Sequence, residues 1–556
     1  VLIPQSMAYA QLAGLSPTAG LYAAFLPPIV AALFGSSRQL ATGPVAMTSL
    51  LTMSVLMPFT AAGHSPEKIA AVLALLAGML RLLLSLLRFG ILLSLVSHPV
   101  MVGFTNGAAI IIATSQLGKL TGVSVPNAGL HLQVVGRTLL VAAQSMHLPT
   151  LAMGCLAFVI MLAQQRWVPR WPGVLLAVIF TTLLSWAIGY KSAGGAVVGF
   201  IPSGLPVLCA PILEWNLATS LLSGAVAISV VGFIEASAIA RTIAMQTRQR
   251  FDANQELLGQ GLANIAAAVC QACPVSGSFS RSAVNFKAGA CTGFSSVVAG
   301  LAVAIVLLYL TPLLYHLPEA TLAAVIIISV SSLIRFGAMR RLWHVNREDG
   351  AVAFATFGLT LVLAPHLEVA ILLGAGLGLA CFLYRSMRPA VVVLARHPDG
   401  TLRDAEAFNL PLCDHILTIR FDGRLFFANA SLLEDTVAEH LARRPGLKVV
   451  LFMAHGINAI DASGVETLEH LLGSLEQAGI AVFFCGVKWR VQTVLERSGI
   501  KERYGAGRFL RTEAEALNAA WVAVGCDHKE RCPLRPADTT ILSSPPNAQA
   551  EDMTDG

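Results

Sequence analysis

The chain has 556 residues, of which 55% are hydrophobic and only 12% charged, with a net charge of +6 and a mean hydropathy of +0.71. A water-solvated domain carries about 25% charged residues, so half that share excludes a wholly soluble protein and makes lipid the solvent for much of the chain. The modest charge, with no basic block interleaved with aromatics, excludes a nucleic-acid partner.

Apolar runs of about 17 to 25 residues read as membrane-crossing helices. In chain order they fall at 1–13, 19–34, 44–60, 68–88, 94–118, 149–165, 171–190, 218–240, 252–272, 278–291, 293–315, 318–335, 351–366 and 367–387. That makes fourteen spans. The first is already apolar at Val1, so it reads as truncated, with the N-terminus lying beyond it, and no cleavable leader is legible. Basic residues separate by side. Arg38, Arg88, Arg166, Arg170, Arg241 and Arg335, among others, fall in alternate connections, whereas the opposite connections hold Lys68, Lys119, Arg137 and Lys191. The arginine-rich side is expected to be cytoplasmic.

Two of the spans look broken. At 38–50 the chain reads R-Q-L-A-T-G-P-V-A-M-T-S-L, where Thr42 and Gly43 suit a helix cap and Pro44 a first helical turn. At 274–285 it reads P-V-S-G-S-F-S-R-S-A-V-N, where Ser276, Gly277 and Ser278 look like a loop entering a helix. Each follows a span by about forty residues, the one holding P-Q-S-M-A-Y-A or the one holding F-I-E-A-S-A-I-A, which is a weak internal repeat. Seven spans per half require the halves to run in opposite directions, and paired broken helices in inverted repeats point to a midplane transport site. A helix N-terminus offers unpaired N–H groups and about half a positive charge, so two facing ends can hold an anion. The competing reading is a pair of ordinary kinks satisfied by neighbouring helices.

Glu235 is placed inside a span, where a carboxylate is costly, and it is a candidate for coupling to H⁺ or Na⁺; its plainer role is a hydrogen bond to a neighbouring helix. Arg281 either adds charge to the anion site or reaches the cytoplasmic surface beside Lys287. The ten cysteines are scattered. Cys270 and Cys273 form a lone C-x-x-C, read as small packed residues of an apolar helix and not as a metal or redox site. No resident cofactor is expected.

Together these segments resemble the sulfate permease (SulP) family, whose animal members are the solute carrier 26 proteins. The resemblance rests on P-Q-S-M-A-Y-A-Q-L-A-G-L-S-P-T-A-G-L-Y-A-A-F at 4–25, G-S-S-R-Q-L-A-T-G-P-V-A at 35–46, N-Q-E-L-L-G-Q-G-L-A-N-I at 254–265, G-S-F-S-R-S-A-V-N at 277–285 and I-D-A-S-G-V-E-T-L at 460–468. It implies an α-helical membrane domain over 1–390, built as two inverted seven-span repeats divided into core and gate. It also implies a cytoplasmic α/β STAS domain over 391–525 and a homodimer in a bacterial inner membrane, with the N-terminus cytoplasmic. Carried over by position, Gln5 and Tyr9 line the substrate pocket from the first span. Val45 and Ala46 stand at the third helix start, and Phe279, Ser280 and Arg281 at the tenth. Glu235 matches the acidic position tied to cation coupling. Some relatives have a further carboxylate in the first span; this chain has none there.

Beyond residue 390 the pattern alternates, with strands at 415–428, 448–454 and 481–487 and helices at 463–478 and 489–499. Ser463 matches a serine phosphorylated in relatives of the STAS domain, and with Glu466 it also spells a capping box. A protein partner for this domain follows from the same resemblance. Residues 526–556 are polar and read as a disordered tail.

The function expected is alternating-access transport of sulfate or a similar small anion, with bicarbonate or a fumarate-like dicarboxylate as the rival cargo. An anion channel and a nucleobase carrier are more remote. An enzyme is excluded by the lack of a Ser/His/Asp order, a Walker loop or a metal cluster.

Overall fold

The computed structural model describes residues 2–89, 97–125, 130–167, 171–525 and 532–535. Two compact units emerge, Val1–Ala380 and Cys381–Gly556.

The first unit is helical apart from two short strands. Its first half contains α1 (Leu2–Leu12), α2 (Pro17–Phe34), α3 (Ala46–Ala61), α4 (Pro66–Leu86), α5 (His98–Ser115), α6 (Leu117–Thr121), α7 (His131–Ser145), α8 (Leu148–Trp167) and α9 (Gly173–Ala187). The second contains α10 (Trp215–Thr247), α11 (Ala253–Val269), α12 (Phe279–Lys287), α13 (Phe294–Ile305), α14 (Glu319–Ser331), α15 (Phe336–Val345), α16 (Arg347–Leu363) and α17 (Leu367–Met387). Every expected span meets a helix, although residues 94–96 of the fifth lie outside the described residues. Among the described residues, 8 helices are long and apolar enough to cross a membrane by themselves. α12, with 9 residues, is shorter because the chain joins it from an extended segment. The amphipathic α7 and α15 were not expected, because their apolar residues do not form a continuous run.

The order of segments repeats. In both halves the third span, α3 or α12, is the one preceded by an extended dipeptide: β1 (Thr42–Gly43) before α3, β2 (Ser276–Gly277) before α12. Packing sorts the helices into two bundles, as the fold expectation required. Helices α1–α4 pack with α10, α11 and α13, while α5, α6, α8 and α9 gather around α14 and α16. Small residues permit the close crossings. A Cβ on Gly103 would lie 2.2 Å from the Ala353 carbonyl oxygen, so α5 and α16 meet backbone to backbone.

The second unit contains β3 (Ala390–Arg396), β4 (Leu402–Asp404), β5 (Ile416–Leu425), α18 (Ala430–Arg443), β6 (Val449–Met453), β7 (Ile457–Ile460), α19 (Ala462–Gln477), β8 (Ala481–Cys485), α20 (Trp489–Arg497), α21 (Ile500–Tyr504), β9 (Phe509–Leu510) and α22 (Glu513–Val524). The strand order is β4-β3-β5-β6-β8-β9, with β7 also paired to β5. Strands β5, β6, β8 and β9 are parallel. Parallel strands need cover on both faces, and alternation supplies it. Leu417, Ile419, Val450 and Phe452 join α18–α20 on one face; Ile416, Val449, Leu451 and Met453 join Trp521 of α22 on the other. The three expected strands and two expected helices are all present. Four strands were missed: β4, β7 and β9 are too short to show a period, and β3 reads A-V-V-V-L-A-R, with no alternation to set it apart from the apolar run before it.

Three local expectations are corrected. The cap of α19 is Asp461, whose Oδ1 accepts from the Gly464 N–H at 2.8 Å, so Ser463 lies inside the first turn and forms no capping box with Glu466. Cys270 and Cys273 follow the end of α11 and are not within it; both are buried with free thiols. Finally, residues 532–535 belong to the folded domain and not to a loose tail. Leu534 is 1% exposed, its carbonyl accepts from Arg396 Nε at 2.7 Å, and Cys532 Sγ lies 3.4 Å from Cys413 Sγ. The rest of the expected tail, 526–531 and 536–556, lies outside the described residues.

The cap assignment carries a prediction. Asp461→Ala should lose about 1 kcal/mol of local helix stability, read in the full-length protein as a several-fold faster hydrogen exchange at Gly464 and Val465. Ser463→Ala should leave that exchange unchanged; equal effects of the two substitutions would contradict the assignment.

Candidate functional site

The two extended dipeptides pair with each other. Strands β1 and β2 run antiparallel, with Thr42 opposite Gly277 and Gly43 opposite Ser276. This pairing brings together the starts of α3, at Ala46, and α12, at Phe279, which are 233 residues apart in the chain. The sequence placed a cap at Thr42 or Gly43; these residues form β1 instead, while the loop read at Ser276, Gly277 and Ser278 does enter a helix, with its first two residues as β2. The N-caps are Val45 and Ser278, and Pro44 precedes the helix. The reason is cross-strand pairing, invisible locally, which keeps the backbone extended two residues further. Gly43 is needed here. Its φ is +151° and a Cβ would lie 3.1 Å from an Arg281 terminal nitrogen.

The helix starts are polar by construction. Ser49 N is the first in α3 to bond back to residue 45, at 3.0 Å, which leaves the N–H groups of Ala46, Met47 and Thr48 without an intrahelical partner. In α12, Ser278 Oγ accepts from Arg281 N at 3.5 Å and Ser278 O from Ser282 N at 3.0 Å, so Phe279 and Ser280 keep their N–H groups unpaired within the helix. Arg281 does not reach the surface. It is 6% exposed, its Nη1 donates to the Pro44 carbonyl at 2.8 Å, and its Nε and Nη2 have no hydrogen-bond partner. Tyr9, Glu235 and Arg281 interact electrostatically with one another. Glu235 Oε2 and Gln5 Oε1 are likewise buried without a partner, while Gln5 Nε2 donates to Ser329 Oγ at 3.4 Å. Buried polar atoms left open cost free energy unless a ligand satisfies them. Their concentration beside two helix N-termini makes this place the candidate ligand site.

A cavity of about 590 Å³ opens beside it, walled by α10 and α5 and lined by Met47, Glu235, Asn106, Phe279, Arg241 and Arg335. Of the expected site residues, Glu235 and Phe279 face this cavity. Gln5, Tyr9, Val45 and Arg281 are buried behind that wall; Ala46 is also buried and Ser280 half-buried. A second cavity, about 360 Å³, is lined by Gln11, Ser54, Gln116, Lys119 and His131. The two cavities share no lining residue, and of the two only the first is lined by residues of the helix tips, Met47 and Phe279. The second is crossed by polar ties between the bundles. Lys119 Nζ donates to Gln11 Oε1 at 2.9 Å and lies 3.6 Å from Glu319, and Ser54 Oγ donates to Glu368 Oε2 at 2.5 Å.

Sequence reasoning missed the brace behind the tips. On α11, Glu256, Gln260 and Asn264 are buried one turn apart along one face. Glu256 Oε2 accepts from Ser36 N at 3.0 Å and Ser37 N at 2.9 Å. Gln260 Nε2 donates to Thr42 Oγ1 at 2.8 Å, and Asn264 exchanges hydrogen bonds of 3.0 Å with the Val275 backbone. One helix thus holds both extended approaches. The signal was present as E-x₃-Q-x₃-N on an otherwise apolar helix. Arg81 was missed too: a lone arginine in the C-terminal third of α4, fully buried.

The comparisons agree with this construction. The model of the sulfate permease family matches residues 1–356, and that of the STAS domain matches 407–516. Probable sulfate transporter 4.2 of Arabidopsis thaliana is 33% identical over 570 residues, covering 98% of this chain and 81% of its own length. A probable sulfate transporter of Mycobacterium tuberculosis is 34% identical over 524 residues, covering 93% and 92%. Among solved structures, SLC26A9 matches with a TM-score of 0.84 at 20% identity, over 95% of this chain and 89% of that one. The transmembrane domain of the cyanobacterial bicarbonate transporter BicA matches with a TM-score of 0.61 at 24% identity, over 67% and 94%. With inverted halves, two facing half-helices and a C-terminal STAS domain, the chain belongs to the sulfate permease family.

Proposed function

We propose that the protein carries sulfate across a bacterial plasma membrane by alternating access, driven by H⁺ symport. Membership of a permease family makes the chain a transporter and not an enzyme. The observation that carries the reading is the convergence of the α3 and α12 N-termini on a buried guanidinium with open donors. A dianion suits this site. It meets backbone N–H groups from two helices and the unpaired Nε and Nη2 of Arg281, with no full charge left unbalanced in the membrane. The names of the curated relatives support the choice of cargo.

Glu235 supplies the coupling. When ionised it pairs electrostatically with Arg281 and competes with the anion; when protonated it releases the guanidinium to the substrate. Anion and proton then bind together. Na⁺ is the rival coupling ion and would need oxygen ligands beside Glu235. The arginine-rich connections and the STAS domain lie on the cytoplasmic side in this account, so the 590 Å³ cavity is the inward-facing one. The protein works as a homodimer, and Ser463, exposed in the first turn of α19, is where phosphate would meet unpaired helix N–H groups and regulate the domain or its protein partner.

Purified protein in liposomes, given labelled sulfate, bicarbonate and fumarate in turn with and without an inward H⁺ gradient, tests the reading. Saturable sulfate uptake stimulated by the gradient is expected. Uptake of bicarbonate or fumarate alone would replace the cargo, stimulation by Na⁺ alone would replace the ion, and no saturable uptake of any anion would end the proposal.

A further inference from the structure

Arg81 is the charge this mechanism does not use. It lies in the C-terminal third of α4 and is 0% exposed. Nη1 donates to the Val275 carbonyl at 3.1 Å and Nη2 to the Ile228 carbonyl at 2.9 Å. Nε has no partner. Among the described residues no carboxylate stands within ion-pair distance of it, so its two bonds are to neutral carbonyls only. A buried charge in a membrane is expensive unless something of opposite sign answers it.

Its position shows what would answer it. Val275 leads directly into β2, the approach to the α12 tip. Ile228 and Gly232 lie one turn apart on α10, and Glu235 begins the next turn. Gly232 is required by the arginine itself, because a Cβ there would sit 2.5 Å from Nη2. The close passage of α10 therefore makes room for a guanidinium directly behind the anion site, separated from it by one strand of backbone.

We propose that Arg81 is a charge-selectivity determinant: a fixed positive charge behind the substrate site that favours doubly over singly charged anions. It never touches the anion. It acts through potential, and this inference rests on the anion-transport reading above. A Coulomb term scales with the charge it acts on. Removing Arg81 therefore penalises a dianion by the square of the factor it costs a monoanion. At a separation of about one helix diameter, with an effective dielectric near 20, the monoanion loses roughly tenfold and the dianion roughly a hundredfold.

The neutral variants can fold. Val275 O keeps its bond from Asn264 Nδ2, Ile228 O remains inside a helix, and no buried acid is left without its partner. Arg81→Gln and Arg81→Met are compared with the charge-retaining Arg81→Lys in liposomes at zero membrane potential and fixed pH. Half-saturation is measured for labelled sulfate, and inhibition constants for selenate, nitrate and bicarbonate. In both neutral variants the logarithm of the affinity loss should be about twice as large for sulfate and selenate as for nitrate and bicarbonate, and Arg81→Lys should keep the wild-type ratio. Equal losses for all four anions, or unchanged affinities, would overturn the inference and reduce Arg81 to a packing role. Wild-type protein that carries no anion would instead fail the proposed function, so the two failures are distinguishable.

Discussion

Arg281→Gln should lower the initial rate of anion uptake at least about a hundredfold at equal protein in the membrane. The guanidinium does two things at once. Through Nη1 it ties the α12 tip to the Pro44 carbonyl at the α3 tip, and through Nε and Nη2 it offers the only unpaired charged donors seen between them among the described residues. Substitution removes the donors from the substrate and leaves Glu235 buried without its cation. Leaving a buried charge uncompensated costs about 3–5 kcal/mol, which is more than two orders of magnitude in an equilibrium or rate. Arg281→Lys should recover only part of this, because an ammonium cannot hold the Pro44 carbonyl and present two donors in the plane of a guanidinium. Uptake within about threefold of wild type for Arg281→Gln would remove the residue from the site.

The second large effect is expected at Glu235. In the wild type, lowering the pH protonates the carboxyl, frees Arg281 and raises anion affinity; raising the pH restores the pair and expels the anion. Glu235→Gln imitates the protonated form at every pH. The variant should therefore bind the anion as well as or better than the wild type and exchange it across the membrane. Its uptake should no longer respond to an H⁺ gradient, with a loss of roughly tenfold or more in gradient-driven accumulation. Uptake that stays proton-driven in this variant would assign the coupling elsewhere, and Glu256 would be the next candidate.

How much of this was legible depends on the range of the interactions. The spans were readable because lipid demands long apolar runs, and three strands of the second unit because cover on both faces leaves short apolar runs between polar turns. The broken helices were readable from Gly43, Pro44 and Gly277, yet the cap of α3 was misplaced by two residues or more. Cross-strand pairing between 42–43 and 276–277 decides where each helix starts, and nothing local reports a partner more than two hundred residues away. The same limit explains Glu256, Gln260 and Asn264. Each alone looks like a tolerated polar residue; only their common face on α11, and what that face touches, makes them a brace. For Ser463 the local pattern S-x-x-E was real but out of phase, because Asp461, two residues earlier, reaches the helix N–H groups first. Arg281 was readable as a charge in a span, but whether it turned inward or snorkelled depended on Pro44, again a distant residue.

The account's central claim is that an anion sits between the tips of α3 and α12. Electron cryo-microscopy of the protein in lipid nanodiscs with saturating selenate, against the same preparation without it, tests this most directly. The account predicts added density within hydrogen-bond distance of the backbone N–H groups of Met47 and Ser280 and of the Arg281 guanidinium. Tips that stay empty while selenate is held elsewhere, or tips found apart with no pocket between them, would contradict it.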